Sequence, residues 1–409
     1  MSEAMTGPGE GPARRLPVFD VNHVRRQFSS LDQGFVFLDA PGGTQVPDSV
    51  GAAAAQNYRE ASGNIGFPYA TSQRIAALVD EARARSAQFL GCTSDEVIFG
   101  ANMTSLNFML SRTLGRGLSA GDEILVTRLD HDANVAPWLE LARDRDLVVH
   151  EVDIRDDTTL DLEDLERLLG PKTKVVALPL ASNAVGTTVD VARVAASAHA
   201  AGALVWVDAV QYAPHFPIDV HALDADVLLC SSYKFCGPHL GIAYGRRELL
   251  ESWRPYKARP VGDDPVGHRF ETGTLPYELL AALVATYDYL EGIGGIDEVA
   301  AWERSLGERL LAGLPAGATL YGSPTMDNRV PTFLVNFEGA ASADLSVALG
   351  KEGFGVWSGD NYYALGLYER VAWGTALRIG LAHYNTLEEI DRFNEVLAVL
   401  VKEAGGLRG

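Results

Sequence analysis

Short apolar runs alternate with amphipathic helical stretches through the first two-thirds of this 409-residue chain, and that rhythm constrains the fold more than any other feature. Strand candidates fall at Glu96–Phe99, Glu123–Thr127, Val148–Val152, Lys174–Pro179, Leu204–Asp208, Val227–Cys230 and Gly241–Tyr244. Helical patterns lie between them at Ser105–Leu114, Ala133–Arg143, Leu162–Leu169 and Val191–Ala201. A stronger one precedes them at Thr71–Leu90, closed by Gly91. Apolar strands alternating with helices predict an α/β fold, its mainly parallel sheet covered on both faces. After about residue 275 the rhythm changes. Two long helical patterns, Tyr277–Glu291 and Asp297–Leu311, lead to strands at Thr319–Tyr321, Thr332–Phe337 and Leu377–Ala382 and a last helix, Leu387–Ala404. The chain therefore reads as an N-terminal tail and helix over 1–34, a large domain over 35–275 and a small α+β domain over 276–409. Within the first segment, residues 1 to about 18 are expected to be a flexible tail, and Asp20 to cap a short helix through Arg26.

Charge and cysteine content narrow the function. Acidic residues outnumber basic ones, 54 to 34, for a formal charge of −20. A surface of that sign repels phosphate backbones, so nucleic acid is not expected as a partner. No run reaches the ~18 apolar residues of a membrane span, and the opening residues lack the apolar core of a signal peptide. Three cysteines, Cys92, Cys230 and Cys236, cannot form a disulfide framework, which suits reduced thiols in the cytoplasm.

Open parallel sheets bind ligands beyond the carboxyl ends of their strands. The polar residues there are Asn102–Met103–Thr104, Asp130–His131–Asp132, Ser182–Asn183, Asp208–Gln211 and Ser231–Lys234. Glycine fingerprints for dinucleotides and nucleoside triphosphates are missing, because Gly7–Pro8–Gly9 lies in the tail and Gly292–Ile293–Gly294–Gly295 follows a helix. Lys234 stands out. It follows the apolar strand VLLC and two serines, in a turn leading to Gly237–Pro238. A lysine held there is partly desolvated, which lowers its pKa and makes the amine nucleophilic; the alternative is a solvated loop lysine. Asp208 ends the strand LVWVD. It would suit a protonated pyridine nitrogen, or would simply cap the next helix.

The order of motifs resembles the class V aminotransferase and cysteine desulfurase superfamily, a fold type I group that uses pyridoxal 5'-phosphate (PLP). The likeness runs from about residue 35 to 400, through FLDAPGGTQVP, DHDANVAPW, SNAVGT, VDAVQ, SSYKFCGPHLGIAYG, RFETGT and ALRIGLAHYNTLEEID. It implies a large domain with a mainly parallel seven-stranded sheet, a smaller C-terminal α+β domain, and a homodimer with shared active sites. Lys234 would form the internal aldimine and shuttle the Cα proton. Asp208 would pair with the pyridine nitrogen, Gln211 would bond the ring hydroxyl, and His131 would stack on the ring unless it is merely a polar turn histidine. Met103 and Thr104 would cradle the phosphate at a helix start, with Ser231 and Tyr233 as further donors and Thr274 reaching in from the neighbouring subunit. Asn183 would contact the cofactor and, with Arg378, hold the substrate carboxylate, Arg378 by a two-pronged contact. No metal is expected.

One departure decides the functional reading. Cysteine desulfurases carry a cysteine on a mobile loop before the arginine motif, whereas this loop, VWSGDNYYALGLYERVAWGTALRIG, has none. Tyr362 and Tyr363 stand in the region, able to donate a proton or to shape a substrate pocket. The histidines common in the early active-site segment are missing too, since GNIGFPYATSQR stands there. The chain thus resembles the desulfurase-like branch without the persulfide cysteine, and isopenicillin N epimerase-like proteins. The leading expectation is β-elimination from cysteine or a cysteine S-conjugate, a C–S lyase reaction. Transamination, epimerisation and decarboxylation start from the same covalent adduct and stand as alternatives. Of other classes, a non-catalytic dimeric scaffold has no need for Lys234, Asp208, His131 and Arg378 together, and a nicotinamide oxidoreductase lacks its glycine turn.

Overall fold

The computed structural model describes residues 19–406, so the expected tail lies outside the described residues. A short helix, Val21–Arg25, starts at Asp20, whose carboxylate accepts the His23 N–H at 2.9 Å. The strand β1 is Val36–Phe37. Seven further strands follow: β2 (Val97–Gly100), β3 (Glu123–Thr127), β4 (Val148–Val152), β5 (Thr173–Pro179), β6 (Leu204–Asp208), β7 (Val227–Ser231) and β8 (Gly241–Gly245). They make one sheet in the order β2-β8-β7-β6-β5-β3-β4, in which only β8 runs antiparallel to its neighbours. The fold is the α/β architecture expected, with a mainly parallel sheet of seven strands.

The unbroken apolar runs have a plain cause. Successive side chains of a strand point to opposite faces. Leu125, Val176, Leu178, Val205, Val207 and Leu228 enter one core, while Ile124, Val126, Val175, Ala177, Trp206 and Leu229 enter another on the opposite face. Helices Ala70–Leu90 and Val191–Ala200 cover the first; Met103–Gly115 and Ala136–Arg145 cover the second. The latter helix begins three residues later than its pattern suggested, because Asp132–Asn134 forms a 3-10 turn and Pro137 takes the first helical turn.

A second layer is antiparallel. Strands β9 (Ala318–Tyr321), β10 (Thr332–Phe337), β11 (Phe354–Gly355), β12 (Trp357–Gly359) and β13 (Ala376–Gly380) follow in sequence. Four of them order as β12-β13-β10-β9, and β11 pairs in parallel with β1. Helices Ile296–Ala312, Ser342–Lys351 and Leu387–Gly406 enclose this sheet's core. Packing crosses the expected boundary between the large and small domains in both directions. Val36 and Leu38 lie in the C-terminal core, whereas Tyr277, Leu280, Leu283 and Tyr287 of helix Tyr277–Gly292 lie in the core of the large sheet.

Two buried polar clusters fasten the layers. Arg83 meets Glu271 at 2.5 Å, and Glu271 also accepts the β2 amide of Phe99 at 3.0 Å, which anchors the loop leading to Thr274. Glu303, 2% exposed, lies 2.7 Å from Nδ1 of His215 and 3.9 Å from Nδ1 of His383. The Tyr289 hydroxyl bonds Nε2 of His383 at 2.6 Å. Burial pushes His383 down to about 3, so it stays neutral, and pushes the Glu303 carboxyl up, with His215 opposing.

Candidate active site

Because β3, β5, β6 and β7 run parallel, their carboxyl ends share one edge, and the polar residues after each converge on a cavity of about 610 Å³. Met103, Thr104, His131, Asn183, Asp208, Gln211, Ser231, Tyr233, Lys234, Tyr362, Tyr363 and Arg378 all line it. Thr274 does not; it is exposed on its loop. A wider cleft of about 740 Å³ shares Gly42, Tyr233, His239 and Trp357 with this cavity. Its own walls are mostly small or apolar, so the reactive groups gather in the narrower space.

Lys234 sits just past β7 and is 7% exposed. Its Nζ donates to the Pro41 carbonyl, which also accepts from Gln211 Nε2 at 3.1 Å. Burial and the Arg378 charge lower its pKa to about 7, against the opposing pull of Asp39 and Asp208. Asp208, 6% exposed at the end of β6, accepts the Val210 N–H at 2.8 Å. That bond satisfies one oxygen in the manner of a helix cap, yet burial still raises the carboxyl to about 6, with Val210 and Lys234 pulling it down. A carboxylate this deep without a bonded cation is a site for one.

His131 is held from beneath. The Asp130 carboxyl, pushed well up by burial, takes bonds from Thr127 Oγ1 at 2.7 Å and Asn134 Nδ2 at 2.9 Å, while Asn107 Nδ2 reaches the Ala133 carbonyl at 2.8 Å. His131 Nδ1 accepts the Ala133 N–H at 3.0 Å, so its proton resides on Nε2. Burial, then Lys234 and Arg378, lowers it to about 4, and the ring is neutral. Asn107 and Asn134 escaped the sequence reading because an asparagine bonding a turn carries no spacing signal.

At the other end, Asn102 caps helix Met103–Gly115 by accepting the Ser105 N–H at 2.8 Å. Met103 spends its N–H on Ser231 Oγ at 2.9 Å, which leaves Thr104 with a helix-start amide unpartnered among the described residues. Gly241 makes this approach possible: a Cβ there would stand 2.4 Å from the Asn102 carbonyl carbon. Tyr233 stacks on His239 at 4.8 Å, and its ring centroid lies 4.5 Å from Nζ of Lys234.

Arg378 on β13 donates to the Asn183 carbonyl at 3.2 Å and to Asp39 at 2.9 Å, between the rings of Tyr362 and Trp357. Its buried Nε–H has no partner among the described residues. Asn183 differs from expectation. Its Nδ2 donates to the Tyr362 carbonyl at 2.7 Å, and a carbonyl can only accept, so the buried atom left over is Oδ1. A substrate carboxylate needs donors, and in this orientation Asn183 offers an acceptor.

The site fits PLP on these grounds. A desolvated amine near neutrality, a buried carboxylate lacking a cation, a flat neutral imidazole and a helix-start amide answer an aldehyde, a pyridine nitrogen, a ring face and a phosphate respectively. The comparisons agree. The family model described as "Aminotransferase class-V" matches residues 36–393. A cysteine desulfurase of Synechococcus elongatus is 31% identical over 91% of this chain, which spans 62% of that protein. The "Aminotransferase-like protein FGM3" of Gibberella zeae is 30% identical over 94% of this chain and 99% of its own. Among solved structures, the apo cysteine desulfurase of Thermococcus onnurineus superposes with a TM-score of 0.89 at 27% identity, covering 96% of this chain and 99% of that one. The chain belongs to the class-V aminotransferase family, and it is a PLP-dependent enzyme.

Proposed function

We propose that this protein is a C–S lyase, releasing a thiol or sulfide, pyruvate and ammonia from cysteine or a cysteine S-conjugate without passing sulfur to an enzyme cysteine. The observation carrying this reading is the state of its thiols. Cys236 is fully buried and pushed up to about 12, Cys230 is buried and pushed higher, and Cys92 is also pushed up to about 12 by burial. A thiolate is the sulfur acceptor, and none of these three lines the cavity.

Bound PLP supplies an electron sink for the pair left on Cα. Lys234, near neutrality, takes the Cα proton. Asp208 keeps the pyridine nitrogen protonated, Arg378 holds the substrate carboxylate, and His131 covers the ring face. The proposal includes a homodimer in which the exposed Thr274 serves the partner's phosphate site, and a cytoplasmic location in keeping with three free thiols. The likeness to FGM3 supports a second reading, amino-group transfer to a keto acid.

Mass spectrometry after L-cysteine treatment tests the leading reading. No added sulfur atom is expected on any cysteine, and replacing all three should leave pyruvate release largely intact. Sulfur on Cys236 that vanishes in a Cys236 variant would establish desulfurase chemistry instead. Asp208→Asn should retain cofactor yet lose turnover by about a hundredfold, equivalent to ~3 kcal/mol of transition-state stabilisation. Near-native turnover in that variant would remove Asp208 from the mechanism.

A further inference from the structure

We propose that Tyr363 is the acid that protonates the departing sulfur, and that Tyr362 is the strut fixing it in place; this rests on the elimination reading above. The two neighbours lie side by side on the cavity wall, yet their hydroxyls differ completely. The Tyr362 phenol, 4% exposed, faces the Trp357 carbonyl at 2.9 Å and the Ala376 carbonyl at 2.8 Å. Both only accept, so its single proton is spent on backbone. Its ring supports Arg378 at 4.5 Å, and its carbonyl receives Asn183.

The Tyr363 hydroxyl is bonded to no group among the described residues, and the side chain is 63% exposed while lining the cavity. Its ring stacks on His131, centroids 5.4 Å apart and planes 20° from parallel. Main chain clamps it on both sides. Its carbonyl accepts the Asp132 N–H at 2.6 Å, and its own N–H donates to Asn361 at 2.8 Å. Tyr362 and Tyr363 both adopt positive φ, 50° and 59°. Two consecutive tyrosines in the left-handed region are held there against steric cost, which is how a chain aims a side chain at a site.

In the step assigned to Tyr363, the Cβ–S bond breaks with its electron pair leaving on sulfur. The phenolic O–H breaks as the S–H bond forms, and the phenolate regains a proton from water, which reaches the exposed ring. Acid assistance matters in proportion to the basicity of the leaving group. The holoenzyme is therefore assayed on S-ethyl-L-cysteine, a poor leaving group, and S-(4-nitrophenyl)-L-cysteine, a good one. Tyr363→Phe, which keeps the stacked ring, should slow the ethyl conjugate about a hundredfold and the nitrophenyl conjugate less than about threefold. Tyr362→Phe should slow both alike. Equal effects on the two conjugates in Tyr363→Phe, or the selective loss appearing in Tyr233→Phe instead, would overturn the assignment while leaving elimination standing. A wild-type enzyme that releases thiol from neither conjugate and no sulfide and pyruvate from L-cysteine would overturn both readings at once.

Discussion

Lys234→Ala should lower turnover at least a thousandfold and leave no pyridoxyl group on the chain after borohydride reduction. General acid–base assistance alone contributes about 10²–10⁴-fold, and among the described residues Lys234 is the cavity's only buried amine. Intact-mass analysis reads the adduct directly. A reduced adduct still present in the variant, or on another lysine of the native chain, would displace Lys234 from its role. The same residue carries a stability cost in the cofactor-free protein. Its folded pKa, about 7, lies below the ordinary 10.5, so between those values the unfolded chain binds a proton that the folded chain lacks. Stability therefore rises with pH across that window, and the full cost stands below pH 7. At pH 7 it is on the order of 4 kcal/mol. Lys234→Met, which keeps the stem, should make the cofactor-free protein harder to unfold at pH 7 and flatten its stability profile between pH 7 and 10. An unchanged slope there would mean that the amine is better solvated than its burial suggests.

Glu303→Ala should destabilise the fold by about 2 kcal/mol or more, because it strands the buried hydrogen-bond partner His215 and opens a cavity. The carboxylate joins His215, beyond β6, to helix Ile296–Ala312, and lies near His383, five residues past Arg378. Its loss leaves His215 sealed without a partner. Urea unfolding should show a lower midpoint with little change in slope. The double variant Glu303→Met, His215→Leu should recover much of the loss, since apolar replacement of a whole buried pair is close to neutral. A single variant within about 1 kcal/mol of wild type would mean that the cluster contributes nothing.

The large sheet was legible because each of its strands is a run of apolar residues needed on both faces. All seven fall within one residue of the expected bounds at either end. Helix Asp48–Glu60 was missed because its alanine run, GAAAAQ, forms helix by propensity without an apolar stripe to mark it. Strands β1, β11 and β12 have two or three residues each and exist only through pairing with distant chain. At the site, residue types at strand ends led directly to Lys234, Asp208 and His131. What each atom bonds was not legible. The commitment of Asn183 to the Tyr362 carbonyl, the spending of the Met103 amide on Ser231 and the contrast between two adjacent tyrosines depend on contacts between residues far apart in sequence. The Glu303 cluster was missed for the same reason, its four members being spread from position 215 to 383.

The pairing of Val36–Phe37 with Phe354–Gly355, and of Asp39 with Arg378, sets a timetable for the newborn chain. Synthesis runs from the N-terminus, and contacts that span 339 residues wait for their second member to leave the ribosome. The sheet bearing Asp208 and Lys234 is complete by Gly245, long before Arg378 exists. Throughout that interval β1 has no strand to pair with and Asp39 no arginine to bond, so the first strand among the described residues is among the last to be secured. A truncated product ending before β13 would carry the cofactor lysine and its aspartate yet have no arginine there for a substrate carboxylate.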